Sequence, residues 1–355
     1  LTGDVTTTSD GKGTLNLVGS NNQTVAGQVG DSLNKLAEVN AGVNSSTSTF
    51  AGDVFATNLD VEGTGTVNLD GNFTGTAIRY NADGTVILAD TKNINSAITT
   101  AVDNTGTLSL EGSSTVTGQV GASGASLKEI NAGVAGSTST FNSNVYASNL
   151  NMTGSGTVIL NSDLTGNVVT TGNQGILTTT GATQTITGNV GSLSSSVNTL
   201  NIGSDTVLGN YSTTTINGNV FATSTVLNNN NNDNGDLTTN SSELILASGK
   251  NITSIITTAD ANMGILTLAG GTQTISGTVG ELGTSLEKVS SGANGATSTF
   301  VNDVYANTVE NTGTGTTTFQ DNVVATNVNV NAGTSTFQDN LTATTTTIST
   351  GTGNF

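Results

Sequence analysis

No cysteine, proline, histidine or tryptophan occurs in the 355 residues, and each absence excludes something. Without cysteine there are no disulfide staples, and nothing in the chain reports a redox compartment. Without histidine or cysteine, the common nucleophile–base pairs and metal triads cannot be assembled. Disordered chains are usually rich in proline and charge, but here proline is missing and charged residues are only 9%. Basic residues are the scarcer sign: 7 Lys and Arg against 25 Asp and Glu give a formal charge of −18. No basic patch or aromatic platform is available for phosphates and bases, so nucleic acid is excluded as a partner. The same sign disfavours anionic membrane surfaces. No apolar run approaches the roughly 20 residues of a spanning helix, so this chain is not expected to insert directly into a membrane. Leu1 opens no signal peptide, and any export signal is expected outside the chain.

What is present is 46 glycines, an excess of Thr, Ser and Asn, and a 33% hydrophobic fraction spread evenly along the sequence. That fraction is too low for one thick core. It suits a narrow core stacked over many short strands. Internal repeats support this. Phe300, Phe319, Phe337 and Phe355 lie 19, 18 and 18 residues apart, and Phe319-Gln-Asp-Asn recurs at Phe337. Segments beginning at Phe50, Leu69, Phe141, Leu160, Ile216, Phe300, Phe319 and Phe337 share one pattern. An apolar residue is followed three positions on by Asp or Asn and six positions on by Ala or Gly. The first column reads Asp53, Asn72, Asn144, Asp163, Asn219, Asp303, Asn322, Asn340; the second runs from Ala56 and Gly75 to Ala325 and Ala343.

A second phrase, Gly-Thr/Ile-apolar-x-Leu (Gly13–Leu17, Gly106–Leu110, Gly264–Leu268), precedes an apolar-x-Gly-x-Val-Gly signature. That signature recurs at Val25, Val116, Ile186 and Ile275, at intervals of 91, 70 and 89 residues. The module is therefore about 90 residues long, and the short interval lacks about one coil, a loss that stacked repeats tolerate. The expected organisation is a single continuous solenoid over 1–355, with modules near 13–105, 106–174, 175–263 and 264–355. Leu110 to Phe141 is longer, at 31 residues. It includes Ser126-Leu-Lys-Glu-Ile130, which matches Ser32 to Val39. Leu33, Leu36 and Val39 have helical spacing after a Ser/Asp cap candidate, which predicts a short surface helix or turn.

Alternation such as Thr66-Val-Asn-Leu69 gives half-buried strands of period two, and Gly, Asn, Asp and Ser between them suit tight corners. The fold expected is all-β: a right-handed parallel β-helix (β-solenoid) with coils of 18–22 residues, about three strands each, and short helical or loop excursions. Handedness rests on the general rule for parallel crossovers. Stacked Phe and Leu should fill the inside, and Asn side chains should bond up the corners.

Chemistry is sparse. Arg79 is the only arginine, and Lys92 lies one coil later but out of register with it, so a lyase-like site has little to build on. Asp321 and Asp339 occupy equivalent positions one coil apart. They are the candidate carboxylate pair for glycoside hydrolysis or Ca²⁺ binding, against the plainer reading of solvated corner residues. The run Asn228–Asp236, with Asp233 and Asp236, resembles the start of a calcium loop but lacks its terminal Glu, and its composition favours a polar loop. Ca²⁺ is thus the one cofactor for which residues can be named, and no catalytic residue is assigned. Tyr146 and Tyr305 share a repeat position with Phe55 and Phe221, which suggests a structural column or, if exposed, a contact surface.

The phrases Val102-Asp-Asn-Thr-Gly-Thr-Leu-Ser-Leu110, Ile186-Thr-Gly-Asn-Val-Gly191 and Ala132-Gly-Val134 before Ser-Thr-Ser-Thr-Phe141 resemble passenger regions of rickettsial OmpA/OmpB-type autotransporter surface antigens. The resemblance implies a β-helical passenger exported through a C-terminal outer-membrane barrel, serving host attachment or a surface coat, with no catalytic residues to carry over. The expected role is therefore a structural protein of the bacterial cell surface, an adhesin passenger or surface-layer component. Its partners would be flanking coils or other copies of itself, and a host-cell receptor or glycan. A self-assembling extracellular filament, built from coils without obvious caps, is the alternative; a carbohydrate-active β-helix is the third reading.

Overall fold

The computed structural model describes residues 1–204, 211–228 and 241–355. The described residues form β-strands joined by turns, with no helix, and the ladders between named strands are parallel. The chain divides into two compact units, Leu1–Val168 and Val169–Phe355, and each is a parallel β-solenoid.

Two kinds of strand alternate. Four-residue strands such as Thr66–Leu69 and Thr85–Leu88 point their second and fourth residues inward. Eight-residue strands such as Val54–Val61 bury Val54 and Ala56, then Leu59 and Val61, with Thr57 and Asn58 both half-buried between them. Two successive outward residues break the period of two, so the long strand bends there and supplies two walls. Each regular turn therefore has three walls, as expected, made from two strands. Regular coil-to-coil offsets are 18, 19 and 22 residues. The range is wider than expected, because other turns are offset by 25 and 30 residues.

In the first unit, one wall carries the inward column Val25–Phe50–Leu69–Leu88–Leu110. A second carries Val54–Phe73–Ile94–Val116–Phe141–Leu160. A third carries Leu15–Val39–Leu59–Ile78–Ile98–Val120–Val145. Nearly all of these side chains are fully buried. The second unit has the corresponding columns Ile186–Ile216–Leu246–Leu268 and Val220–Ile252–Ile275–Phe300–Phe319–Phe337. Its third wall includes Ile256–Val279–Val304–Val323–Leu341.

These columns reveal a device that the repeat pattern conceals. Up to Leu110, every four-residue Thr-x-x-apolar strand of the first unit from Thr47 on lies on the first wall; Thr138–Phe141 and Thr157–Leu160 lie on the second. The change is made by one extra short strand, Ser114–Val116, inserted between Leu110 and Val120. The 31-residue coil thus runs for four walls rather than three, and each following phrase moves on by one wall. The second unit does the same through Thr272–Ile275. There the phrase moves from the wall of Leu246 and Leu268 to that of Phe300, Phe319 and Phe337.

The helix expected near Ser32–Val39 is absent. Leu36–Ala41 is a strand paired with Thr14–Asn16 and with Val54–Val61, and the residues before it form a tight turn. Its inward residues Leu36, Val39 and Ala41 flank a bend, so three-residue spacing here marks a bent strand.

The corner column bonds as expected. Asp53 accepts the backbone N–H of Asn72 (2.8 Å), Asn72 that of Asn93 (2.9 Å), and Asn93 that of Thr115 (2.9 Å). In the second unit Asn189, Asn219 and Asn251 do the same for Asn219, Asn251 and Thr274. Each rung satisfies a corner N–H that the ladders cannot reach.

Candidate functional site

After each extra strand, the coil opens into a projecting tip. The four tips are Gly30–Lys35, Gly121–Ser126, Gly191–Ser196 and Gly280–Ser285, written as residue ranges of one recurrent element. Val29 and Leu36 stack on Val54 and Ala56 of the next coil, so the first tip rises opposite Phe55. By the same pairings the others rise opposite Tyr146, Phe221 and Tyr305. This accounts for the shared repeat position of these four aromatics. They are half-buried, one per slip, each in the coil beneath a tip.

The tips are closed tightly. Ala122 and Ala125 exchange backbone hydrogen bonds (2.9 and 3.0 Å), as do Ser192 with Ser195 and Glu281 with Thr284. In the first tip the N–H groups of Leu33 and Asn34 both donate to the Asp31 carboxylate (2.7 and 2.8 Å), holding its pKa below the usual range. Each tip is tied at its end to the preceding coil. Lys35 N–H donates to Asp10, Ser126 N–H to Asp103 and Ser196 N–H to Asn173; the Ser285 hydroxyl donates to Asn262. The opening glycine is required twice over. Gly30, Gly121, Gly191 and Gly280 have φ between 63° and 71°, and a Cβ would lie 2.1–2.4 Å from the carbonyl oxygen of the aromatic below.

Two central residues crown each tip. Leu33, Leu193 and Leu282 stand 80%, 83% and 81% exposed there, while Ser123 and Gly124 crown the second tip. An apolar side chain so exposed on a rigid turn is a contact element awaiting a partner. Beneath the fourth tip lies a groove of about 320 Å³. Leu282 and Glu281 form its rim, and Tyr305, Ala306, Ala325 and Ala343 are among its lining residues. The Tyr305 hydroxyl donates to Asp303 (3.0 Å). That phenol is raised above its ordinary pKa by its carboxylate neighbour, and Asp303 is lowered, chiefly by the Asn322 amide.

The residues singled out for chemistry are arranged otherwise. Asp321 accepts from the backbone and side-chain N–H groups of Asn322 (both 3.0 Å), and Asp339 does the same for Asn340 (both 2.8 Å). Each carboxylate thus turns to its own neighbour in a corner role, and no group of three or more metal-capable side chains occurs among the described residues. Asp233 and Asp236 lie outside the described residues. Arg79 bonds Asp60 through two nitrogens and Glu38 through one (2.8 Å), so it is held in an ion-pair cluster. Glu38 is pushed above its ordinary pKa, first by its hydrogen bond with Asp60, then by desolvation, while Arg79 pulls the other way.

Sequence reasoning missed the tips as a site. The available signal was the fourfold Gly-x-Val-Gly phrase, which marks where the chain leaves the wall. The fold and its recurrent tips define a parallel β-solenoid of slipped modules. Comparison of the chain with protein-family models, curated proteins and solved structures finds no match.

Proposed function

We propose that this chain is a structural, non-catalytic solenoid of the bacterial cell surface, an adhesin passenger that displays apolar tips to a host-cell receptor or glycan. The observation that carries this reading is the exposure of Leu33, Leu193 and Leu282 at 80–83% on tips that are otherwise closed by hydrogen bonds. A rigid loop pays little ordering entropy on binding, so an exposed leucine on it contributes most of its burial energy to the contact. Within each unit the slip also sends successive tips out from different walls: the first follows the Val54 column and the second the Val145 column. Contact points then face more than one direction, which suits multivalent attachment.

The test is binding of the purified, fluorescently labelled chain to cultured host cells, with the Leu33→Ser, Leu193→Ser, Leu282→Ser triple variant alongside. The variant should keep its circular dichroism and urea midpoint, since exposed substitutions shift stability by about 0.5 kcal/mol or less, and lose cell binding. Undiminished binding by the folded variant would overturn the tip assignment. Resistance of the protein on intact source cells to added protease would overturn the surface location.

A further inference from the structure

One wall of the second unit presents a surface unlike any other in the molecule. Five successive strands, Thr272–Ile275, Thr297–Phe300, Thr316–Phe319, Thr334–Phe337 and Thr352–Asn354, stack there in unbroken register. Their outward residues form two ranks. Thr272, Thr297, Thr316, Thr334 and Thr352 make the first rank. Thr274, Thr299, Thr318 and Thr336 make the second, which ends on Asn354. All are half-exposed or exposed, and none of these outward positions carries a charge. Thr336 accepts from Asn354 (3.1 Å); the other threonine hydroxyls in both ranks have no hydrogen-bond partner among the described residues.

The inside of the same strands shows how regular this wall is. The rings of Phe300, Phe319, Phe337 and Phe355 stack at centroid distances of 5.0, 5.0 and 5.4 Å, with interplanar angles of 12°, 6° and 2°. Rings that nearly parallel through four coils require coils that superimpose with almost no twist. The outer face is therefore flat, whereas most sheets twist markedly from strand to strand. Hydroxyls repeat about every 4.8 Å across the strands and about every 6.6 Å along them. Threonine is stiff about χ1, so the array is ordered before it meets anything.

We infer that this threonine wall binds ice. The oxygens of the prism plane of hexagonal ice repeat on a closely similar rectangle, and a hydroxyl both donates and accepts, as a lattice water does. The charge pattern agrees: a neutral rank of hydroxyls suits a neutral lattice and offers nothing to an ionic partner. Size argues against a second copy of the chain as occupant. The array covers about 250 Å², from four strand spacings by four residues, and a stable protein interface needs about 800 Å² from each partner. A repeating lattice can use a small flat array, because every hydroxyl finds an equivalent water. The matching wall of the first unit lacks the second rank: Thr49 is followed by Asn68, Ile87 and Ser109.

The test is ice growth in the presence of the purified full chain, read as crystal shape and as thermal hysteresis in a nanolitre osmometer. Faceted crystals and a measurable hysteresis gap are expected, with Thr318→Lys and Thr299→Lys each reducing the gap to the buffer baseline. Thr47→Lys and Thr85→Lys, on the mixed wall of the first unit, should leave it unchanged. Circular dichroism confirms that each variant is folded, and Thr316→Lys, at a more exposed position, replaces either that is not. Round crystals and no gap with the unaltered chain overturn the inference, as does an equal loss from Thr85→Lys.

Discussion

Two walls with the same ancestry in the repeat have been filled differently. In the first unit, the wall that receives the phrase after the slip stacks Val54, Phe73, Ile94, Val116, Phe141 and Leu160, a mixed column. In the second unit, it runs Val220, Ile252, Ile275 and then three phenylalanines in a row. Both columns are buried, so both satisfy the solenoid's need for an apolar interior. Only the second repeats one residue often enough to align rings inside and hydroxyls outside. Burial asks for volume; periodic identity is an additional property of the sequence.

The largest expected effect separates these columns directly. Phe319→Ala should cost about 3–5 kcal/mol for the lost side chain and its cavity. Loss of ring contacts above and below should add about 1–2 kcal/mol. Phe73→Ala removes the same ring from between Val54 and Ile94, so only the first cost applies. Urea midpoints of the two variants measure the difference, and equal losses would mean that the stack adds nothing beyond burial.

The next prediction asks whether the slips, unlike the columns, are equivalent in the two units. Gly121→Ala and Gly280→Ala each place a methyl on a left-handed backbone beside the carbonyl oxygen of Tyr146 or Tyr305. Each should cost about 2 kcal/mol, with similar midpoint shifts in both units.

A smaller contrast lies at the corners. Asn72 accepts the backbone N–H of Asn93, so Asn72→Ala leaves that group unpaired, at about 1–2 kcal/mol. In the second unit Asp339 already bonds the backbone N–H of Asn340, so Asn322→Ala strips no corner N–H and should cost under about 1 kcal/mol.

The smallest effect concerns pH. Asp83, beside Lys128, and Asp303, beside Asn322, are held below the ordinary carboxylate range. Their contributions are complete above the unfolded value of about 4 and are lost as the pH falls through the lower folded values. Glu38 has the opposite sign. Its raised folded pKa means that acidification protonates the folded form first and favours it. Glu38→Gln should therefore steepen the loss of stability between about pH 5 and 3, read from urea midpoints across that range. An unchanged slope would show that the Arg79 cluster leaves Glu38 at its unfolded value.

Much of the fold was legible because its anchors repeat at nearly fixed distances: Phe319 and Phe337, or Asn322 and Asn340, announce stacking without any structure. The slip was not legible, because Ser114–Val116 is as ordinary a strand phrase as those around it. Its effect, a change of wall, exists only in the pairing. The missing helix has a related cause. Two outward residues at a strand bend give Leu36 and Val39 a three-residue interval that imitates a helical face. The tips were hidden for a third reason: Leu33, Leu193 and Leu282 count as core residues in any composition argument, and only the fold turns them outward.

The slip also makes the solenoid a counter that works in thirds of a turn. Adding or deleting a whole coil leaves the local compass bearing of everything after it unchanged, as the interval of 70 residues beside those of 91 and 89 illustrates. Adding or deleting one slip swings the next tip to a new heading, and three slips bring it home. Length and aim can therefore vary independently in this architecture: one kind of edit lengthens the mast, and another turns the vane.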